Sequence, residues 1–319
     1  FDSTRWLYPA LKRQGVLGGL YLLNEPKNKA ATFSSALAST KHMSYGAHMI
    51  ATLLLIFIVL FVFLAFYIPI WRNRWIRNKP FPEQWDAILV SNLPIYSALN
   101  TDEKTRLQQL IHLFTTKKRF VGCAGLEITD EIKVTIAAEA CLLLLHHPKT
   151  AVYPKLFSVL VYPTAFKTKR EQRGEDGAVS MASHNLSGES WSNGKVILSW
   201  DDVVSGASDF TDGHNVVLHE FAHQLDAQSG STNGAPPLRR NTYVSWAKVL
   251  SEEFEKLRGA SFRRHKTVMD YYGATNPAEF FAVATETFFE QPQQLYKKHP
   301  ELYEELRLYY QADPRQWHQ

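Results

Sequence analysis

His219-Glu220-Phe221-Ala222-His223 sets two histidines four residues apart. In a helix that spacing puts both on one face, about one turn from each other. Two imidazoles so placed reach the same metal ion, and zinc takes neutral imidazole nitrogens readily. Glu220 then stands beside the metal's open position, where it can take a proton from water and later pass it to a leaving amine. The pattern predicts a zinc hydrolase, in the first place a peptidase. Twelve histidines among 319 residues allow such a pentapeptide to arise by chance, so its setting matters. Val216-Val217-Leu218 lead in, and Phe221, Ala222 and Leu225 continue an apolar pattern, which predicts a largely buried helix. Two histidines and a glutamate buried without a metal would be costly.

A catalytic zinc site takes three protein ligands and a water. Candidates for the third lie in Tyr271-Tyr272-Gly273-Ala274-Thr275-Asn276-Pro277-Ala278-Glu279 and the run that follows to Glu286. Asn276 as N-cap and Pro277 at the first helical position mark a helix start. Glu279 then falls at the third helical position, where Asn-x-x-Glu is also a capping-box pattern. Glu286 lies two turns further along, about 10 Å by helical rise. The helix is rich in Phe280, Phe281, Val283, Phe288 and Phe289, so a glutamate on it faces something specific. Spacing alone does not choose between the two carboxylates. Asp226 follows His223 by three residues. It either orients a ligand imidazole or bonds loop backbone near the helix end, where Ser229-Gly230-Ser231-Thr232-Asn233-Gly234 stops the helix.

The stretch from Val217 to Asp226, together with Tyr272 through Phe289, resembles the Mlc titration factor A family of zinc peptidases. Val161-Tyr162-Pro163-Thr164-Ala165-Phe166, Ser187-Gly188-Glu189-Ser190-Trp191 and Gly194-Lys195-Val196-Ile197-Leu198-Ser199-Trp200 match as well. The likeness covers roughly residues 80 to 319, with the motifs in order. It implies an α+β, zincin-like fold with a gluzincin-type site, mainly helical with a small mixed sheet. It further implies one Zn2+ held by His219, His223 and Glu279, with Glu220 as general base. Tyr272 falls where the family has an active-site tyrosine, whose phenol could hydrogen-bond the oxyanion, an interaction worth about 3 kcal/mol when well placed. Tyr271 is the alternative, with a rim or core aromatic as its plainer role. Peptides or proteins are the implied substrates. A binding module that sequesters a transcriptional repressor is the alternative the family also suggests. Gly194 to Trp200 reads as a strand; it is either an interior strand or, as the resemblance implies, the edge along which substrate pairs.

The second feature is an uncharged run of 21 residues from Ile50 to Ile70. As a helix it spans about 30 Å, a bilayer core. Tyr67 and Trp71 sit at interfacial positions. The run is too long for a secretory signal, and no small-residue cleavage site follows. Arg72, Arg74, Arg77 and Lys79 come after it, against Lys41 and the more distant Lys29 and Lys27 before. The positive-inside rule therefore puts the C-terminal domain in the cytoplasm. The expected organisation is a disordered segment over 1–46, a transmembrane helix over 47–71, a basic linker over 72–84 and the peptidase domain over 85–319. Met43 is a plausible start, because the chain opens on Phe1.

Between Pro80 and His147 the sequence reads as helical. Thr101 is expected to cap one helix, with Leu107, Leu110, Ile111 and Phe114 on its apolar face, and Thr129 or Asp130 opens a second. His146 and His147 end that second helix, where imidazoles are ordinary. About 240 residues are ample for one core. A net charge of +4 and no basic stripe with interleaved aromatics give no sign of nucleic-acid binding. Lys167, Lys169, Arg170 and Arg173 read as a solvated loop. Cys123 and Cys141 are too few for a disulfide scaffold and fit a reducing compartment. No internal repeat is present. A protease acting on bilayer-embedded chains is the weaker reading, since the two histidines lie about 150 residues from the apolar run. Trp317 and His318 mark a tail that could reach the site and make the enzyme latent.

Overall fold

The computed structural model describes residues 28–147, 151–164, 172–173, 179–180 and 194–318. Ser187–Trp191 and the side chains of Lys167, Lys169, Arg170 and Arg173 lie outside the described residues. The chain divides into two units, residues 1–68 and residues 69–319. Helix α1 (Asn28–Arg77) begins in the first. Its stretch His48–Arg77 has a mean hydropathy of 3.2 in its most apolar window, none of it buried. Among the described residues it is the one helix able, by length and composition, to cross a membrane. Residues 28–46, expected to be disordered, are helical. Ala30, Ala31, Ala36 and Ala38 are strong helix formers, and extending an existing helix is easier than nucleating one.

In the second unit the elements after α1 are α2 (Glu83–Asn92), α3 (Pro94–Ala98), α4 (Thr101–Lys117), β1 (Arg119–Gly122), α5 (Asp130–Leu142) and β2 (Ser158–Tyr162). The two-residue strands β3 (Gln172–Arg173) and β4 (Val179–Ser180) precede β5 (Lys195–Ser199) and α6 (Trp200–Ser208). Then come α7 (Val216–Asp226), α8 (Tyr243–Arg263), α9 (Pro277–Glu290), α10 (Pro292–Lys298) and α11 (Pro300–Tyr310). Asn100, not Thr101, caps α4: its side chain accepts the Glu103 N–H while Glu103 bonds back to the Asn100 N–H. Both residue types cap well, but only Asn100 stands three before the glutamate that closes the box. Thr129 caps α5 by accepting the Ile132 N–H.

The sheet corrects one expectation. Among the described residues it is parallel rather than mixed: β1, β2 and β5 lie in that order, with Val159 opposite both Phe120 and Val196. Parallel neighbours need long crossovers, and the chain supplies them, with α5 lying between β1 and β2. β3 and β4 form a separate antiparallel pair. Among the described residues β5 is an edge strand of the three-stranded sheet.

Helix α7 packs against α5, α6 and α9. Phe221 anchors it, its ring 4.7 Å from Tyr153 and 5.6 Å from Phe114 between centroids. On α9, Phe280, Phe281, Phe288 and Phe289 are all buried. Each contributes about 2 to 3 kcal/mol of hydrophobic stabilisation, enough to fix the register of α9 on α7. The tail is docked elsewhere. Trp317 stacks on His146 and Phe289 and donates to Glu103 Oε1 at 3.2 Å. His318 donates to the Phe289 carbonyl. α5 ends at Leu142 and not at His146 and His147 as expected; His146, in the turn that follows, pairs with Glu103 at 3.1 Å.

Candidate metal centre

Asn215 starts the central helix. Its Oδ1 accepts the Leu218 N–H at 2.9 Å, and its carbonyl accepts the His219 N–H at 2.9 Å. Val217, Leu218, Phe221 and Ala222 are fully buried, which turns His219 and His223 toward α9. Asn276 caps α9, accepting the N–H groups of Ala278 and Glu279 at 2.9 and 3.0 Å, with Pro277 in the first turn. The capping box is not closed, because the Glu279 carboxylate is directed elsewhere. Its Oε2 lies 3.0 Å from His219 Nε2 and 3.2 Å from His223 Nε2, and the two nitrogens are 3.2 Å apart.

Packing thus separates the two carboxylates that spacing left equivalent. Glu279 faces the histidines from the front. Glu286, two turns on, stands behind: Oε1 is 2.7 Å from His219 Nδ1, and Oε2 accepts the Asn215 N–H at 2.7 Å. Among the described residues His219, His223 and Glu279 are the one group able to hold a metal, with ligand atoms within 4.8 Å of one another. The donor set fits a catalytic zinc: two imidazole nitrogens and one carboxylate oxygen, the first imidazole backed by a carboxylate on its other nitrogen.

The electrostatics agree. Two imidazole nitrogens and a carboxylate oxygen so close need positive charge among them. Burial alone depresses the His219 imidazole, but the charges and hydrogen bonds of Glu286 and Glu279 outweigh it and hold it up at about 10. Burial pulls His223 down to about 4. Glu279 resists its own burial because both histidines bond to it, and it is held down at about 2. A metal held among these three groups would take the place of that positive charge.

Glu220 is 5% exposed beside His219. Tyr272 lies across the site, its ring 5.8 Å from that of His219 and 46% exposed. It is carried by a short 3-10 turn, Tyr271–Ala274, capped by Asp270, which accepts the Tyr272 N–H at 2.6 Å. Gly273 seats the turn, since a Cβ there would lie 3.1 Å from Leu257 and 3.2 Å from Val283. Burial, then the charges of Glu279, Glu220 and Glu286, push the Tyr272 phenol up to about 12. It therefore stays protonated and able to donate. Tyr271 instead donates to the His265 carbonyl at 2.5 Å, a rim aromatic.

Asp226 takes the loop role. Its Oδ2 accepts the Gly234 N–H at 2.7 Å, and burial pushes its carboxyl up to about 6 despite neighbouring backbone donors. Gly234, at φ 78°, brings the loop against α9: a Cβ there would sit 2.4 Å from the Pro277 carbonyl oxygen. Trp246 Nε1 donates to the Gly234 carbonyl at 2.9 Å. The sequence reading missed Asn215. An asparagine directly before Val-Val-Leu is the helix-start signal that would have found it.

Two packed helices that bring two histidines of an HExxH and a glutamate together define a metallopeptidase-type site. Residues 68–311 match the glucose-regulated metallo-peptidases M90, and the chain belongs to that family. An uncharacterized protein of Synechocystis is 42% identical over 246 residues, 76% of this chain and 89% of the relative. Mlc titration factor A of Yersinia pestis and that of Yersinia pseudotuberculosis are each 32% identical over 257 residues, 75% of this chain and 89% of theirs.

Proposed function

We propose that the chain is a membrane-anchored zinc peptidase in which His219, His223 and Glu279 hold one Zn2+ and Glu220 is the general base. The observation that carries this is the meeting of Glu279 with both Nε2 atoms at 3.0 and 3.2 Å. When bound, zinc supplies Lewis acidity for a scissile carbonyl and acidifies the attacking water. Glu220 takes the proton of that water and delivers it to the leaving nitrogen. Tyr272 donates its phenolic hydrogen to the carbonyl oxygen as negative charge develops there. Glu286 fixes the His219 ring through Nδ1. The side of β5 left unpaired among the described residues accepts an extended substrate by main-chain hydrogen bonds. Residues 72–84, which comprise the end of α1, the turn after it and the first residues of α2, act as the basic linker and 85–319 as the catalytic domain. α1 is the anchor, and Arg72, Arg74, Arg77 and Lys79 place the catalytic domain on the cytoplasmic side.

The reading is tested on the full chain, comparing zinc content and peptide hydrolysis with those of Glu220→Gln. Retained zinc with turnover lost only in the variant supports it. A second reading draws on the name of the Yersinia relatives, a titration factor for another protein: the domain binds a regulatory protein. Zinc in both forms with turnover in neither would favour that reading.

A further inference from the structure

We infer that Glu139 on α5 and Asn215 ahead of α7 are positioning residues that set the orientation of His219 from the protein interior. This rests on the proposed metal site. Glu139 is 0% exposed, and its Oε2 accepts from Asn215 Nδ2 at 2.7 Å. Asn215, 1% exposed, has each polar group engaged. Its Oδ1 caps α7, its Nδ2 donates to Glu139, its N–H donates to Glu286 Oε2, and its carbonyl accepts from His219. Gly206 on α6 closes the remaining side: a Cβ there would lie 3.2 Å from Asn215 Cα, Cγ and Nδ2. Three contacts of 2.7 Å therefore run from Glu139 to Asn215, from Asn215 to Glu286 and from Glu286 to His219 Nδ1.

The two ends of an asparagine amide have nearly the same shape, and their neighbours decide which way it points. Leu218 presents a donor on one side, so the amide must show oxygen there. An acceptor on the other side excludes the flipped form, in which NH2 would meet the Leu218 N–H. Glu139 is that acceptor at 2.7 Å, and the Glu290 carboxyl also faces the Asn215 side chain. The other oxygen of Glu139, Oε1, is buried with no hydrogen-bond partner, and burial pushes this carboxyl up to about 8. An apolar residue there would spare α5 the desolvation of a carboxyl, but it would leave the Asn215 NH2 group without its acceptor. Glu139 thus serves the orientation of Asn215 rather than the stability of the core.

The test uses the full chain in detergent, with zinc affinity measured by competition against a chromogenic chelator. Glu139→Gln keeps a carbonyl oxygen for Asn215 and should bind zinc within about twofold of the parent. Glu139→Met removes the acceptor and should weaken zinc about tenfold, the scale of a lost outer-shell partner. Asn215→Ser keeps a capping oxygen but no donor to Glu139, and should lose as much. The Met/Ser double variant should lose no more than either single. A readout independent of zinc is the downfield proton resonance of His219 Nδ1–H in metal-free protein, expected in the parent and Glu139→Gln and lost in the other two. Parental zinc affinity in Glu139→Met, an equal loss in Glu139→Gln, or additive losses in the double variant would each overturn the proposal. If the parent takes up no zinc the metal site fails, and the resonance still decides the positioning. If Glu139→Met does not fold, Asn215→Ser carries the test.

Discussion

Replacing Glu286 by glutamine probes the back of the metal site while leaving all three ligands in place. Its two oxygens each meet a donor, His219 Nδ1–H and the Asn215 N–H, both at 2.7 Å. An amide of the same shape offers one acceptor and one NH2 group, so one buried N–H must face another donor. The charge-assisted bond to His219 is also lost. Such bonds contribute about 1.5 to 3 kcal/mol. Outer-shell changes of this kind weaken metal binding by about 10- to 100-fold, or about 1.4 to 2.8 kcal/mol. Chelator competition reads that loss directly. A thermal-shift titration reads it again, because ligand stabilisation follows RT ln(1 + [L]/Kd). Glu253→Gln is the control: Glu253 is buried on α8, where its carboxylate bonds His299 and Lys256, so its loss should leave zinc affinity intact. Zinc bound by Glu286→Gln within twofold of the parent would refute this division of labour between the two carboxylates.

Tyr272→Phe should keep its zinc and lower kcat about 100-fold, the scale of one lost oxyanion donor; an unchanged kcat would remove Tyr272 from the mechanism. Gly234→Ala sets a Cβ 2.4 Å from the Pro277 oxygen at a backbone angle of 78°. It should cost about 1 to 3 kcal/mol of stability and weaken zinc by displacing the first turn of α9; unaltered zinc affinity would contradict that coupling. Glu290 is 2% exposed, and burial, followed by the charge of Asp212, pushes it up to about 9. A raised carboxyl means the folded chain keeps a proton that the unfolded chain releases above its ordinary value of about 4.5. Stability should therefore fall as pH rises from about 4.5 to 9, by at most about 4 kcal/mol between pH 5.5 and 8.5. Glu290→Gln should flatten the curve, and an equally steep fall in that variant would count against the assignment.

What the sequence made legible was local. The pentapeptide His219 to His223 specifies its own face, and Asn276-Pro277 specifies a helix start without help from the rest of the chain. Thr129 is the same kind of signal. The choice between Glu279 and Glu286 was not legible, because both lie along one helix and only the packing of α9 on α7 decides which carboxylate meets Nε2 and which meets Nδ1. The parallel pairing of β1, β2 and β5 joins segments far apart in sequence, and alternation within a strand says nothing of a neighbour's direction. Asp226 allowed two roles until Gly234 came within 2.7 Å of it. Glu139 carries no local signal of its own in the sequence. Its role appears only when α5 is laid against the start of α7.

The central claim is that this chain holds zinc with His219, His223 and Glu279 and uses Glu220 to move the proton. The most direct measurement is zinc stoichiometry and peptide hydrolysis, side by side, on the full chain and its Glu220→Gln variant. One zinc per chain in both, with hydrolysis only in the parent, is the predicted result. No zinc in either would contradict the account at its foundation, and equal hydrolysis in both would remove Glu220 as the base.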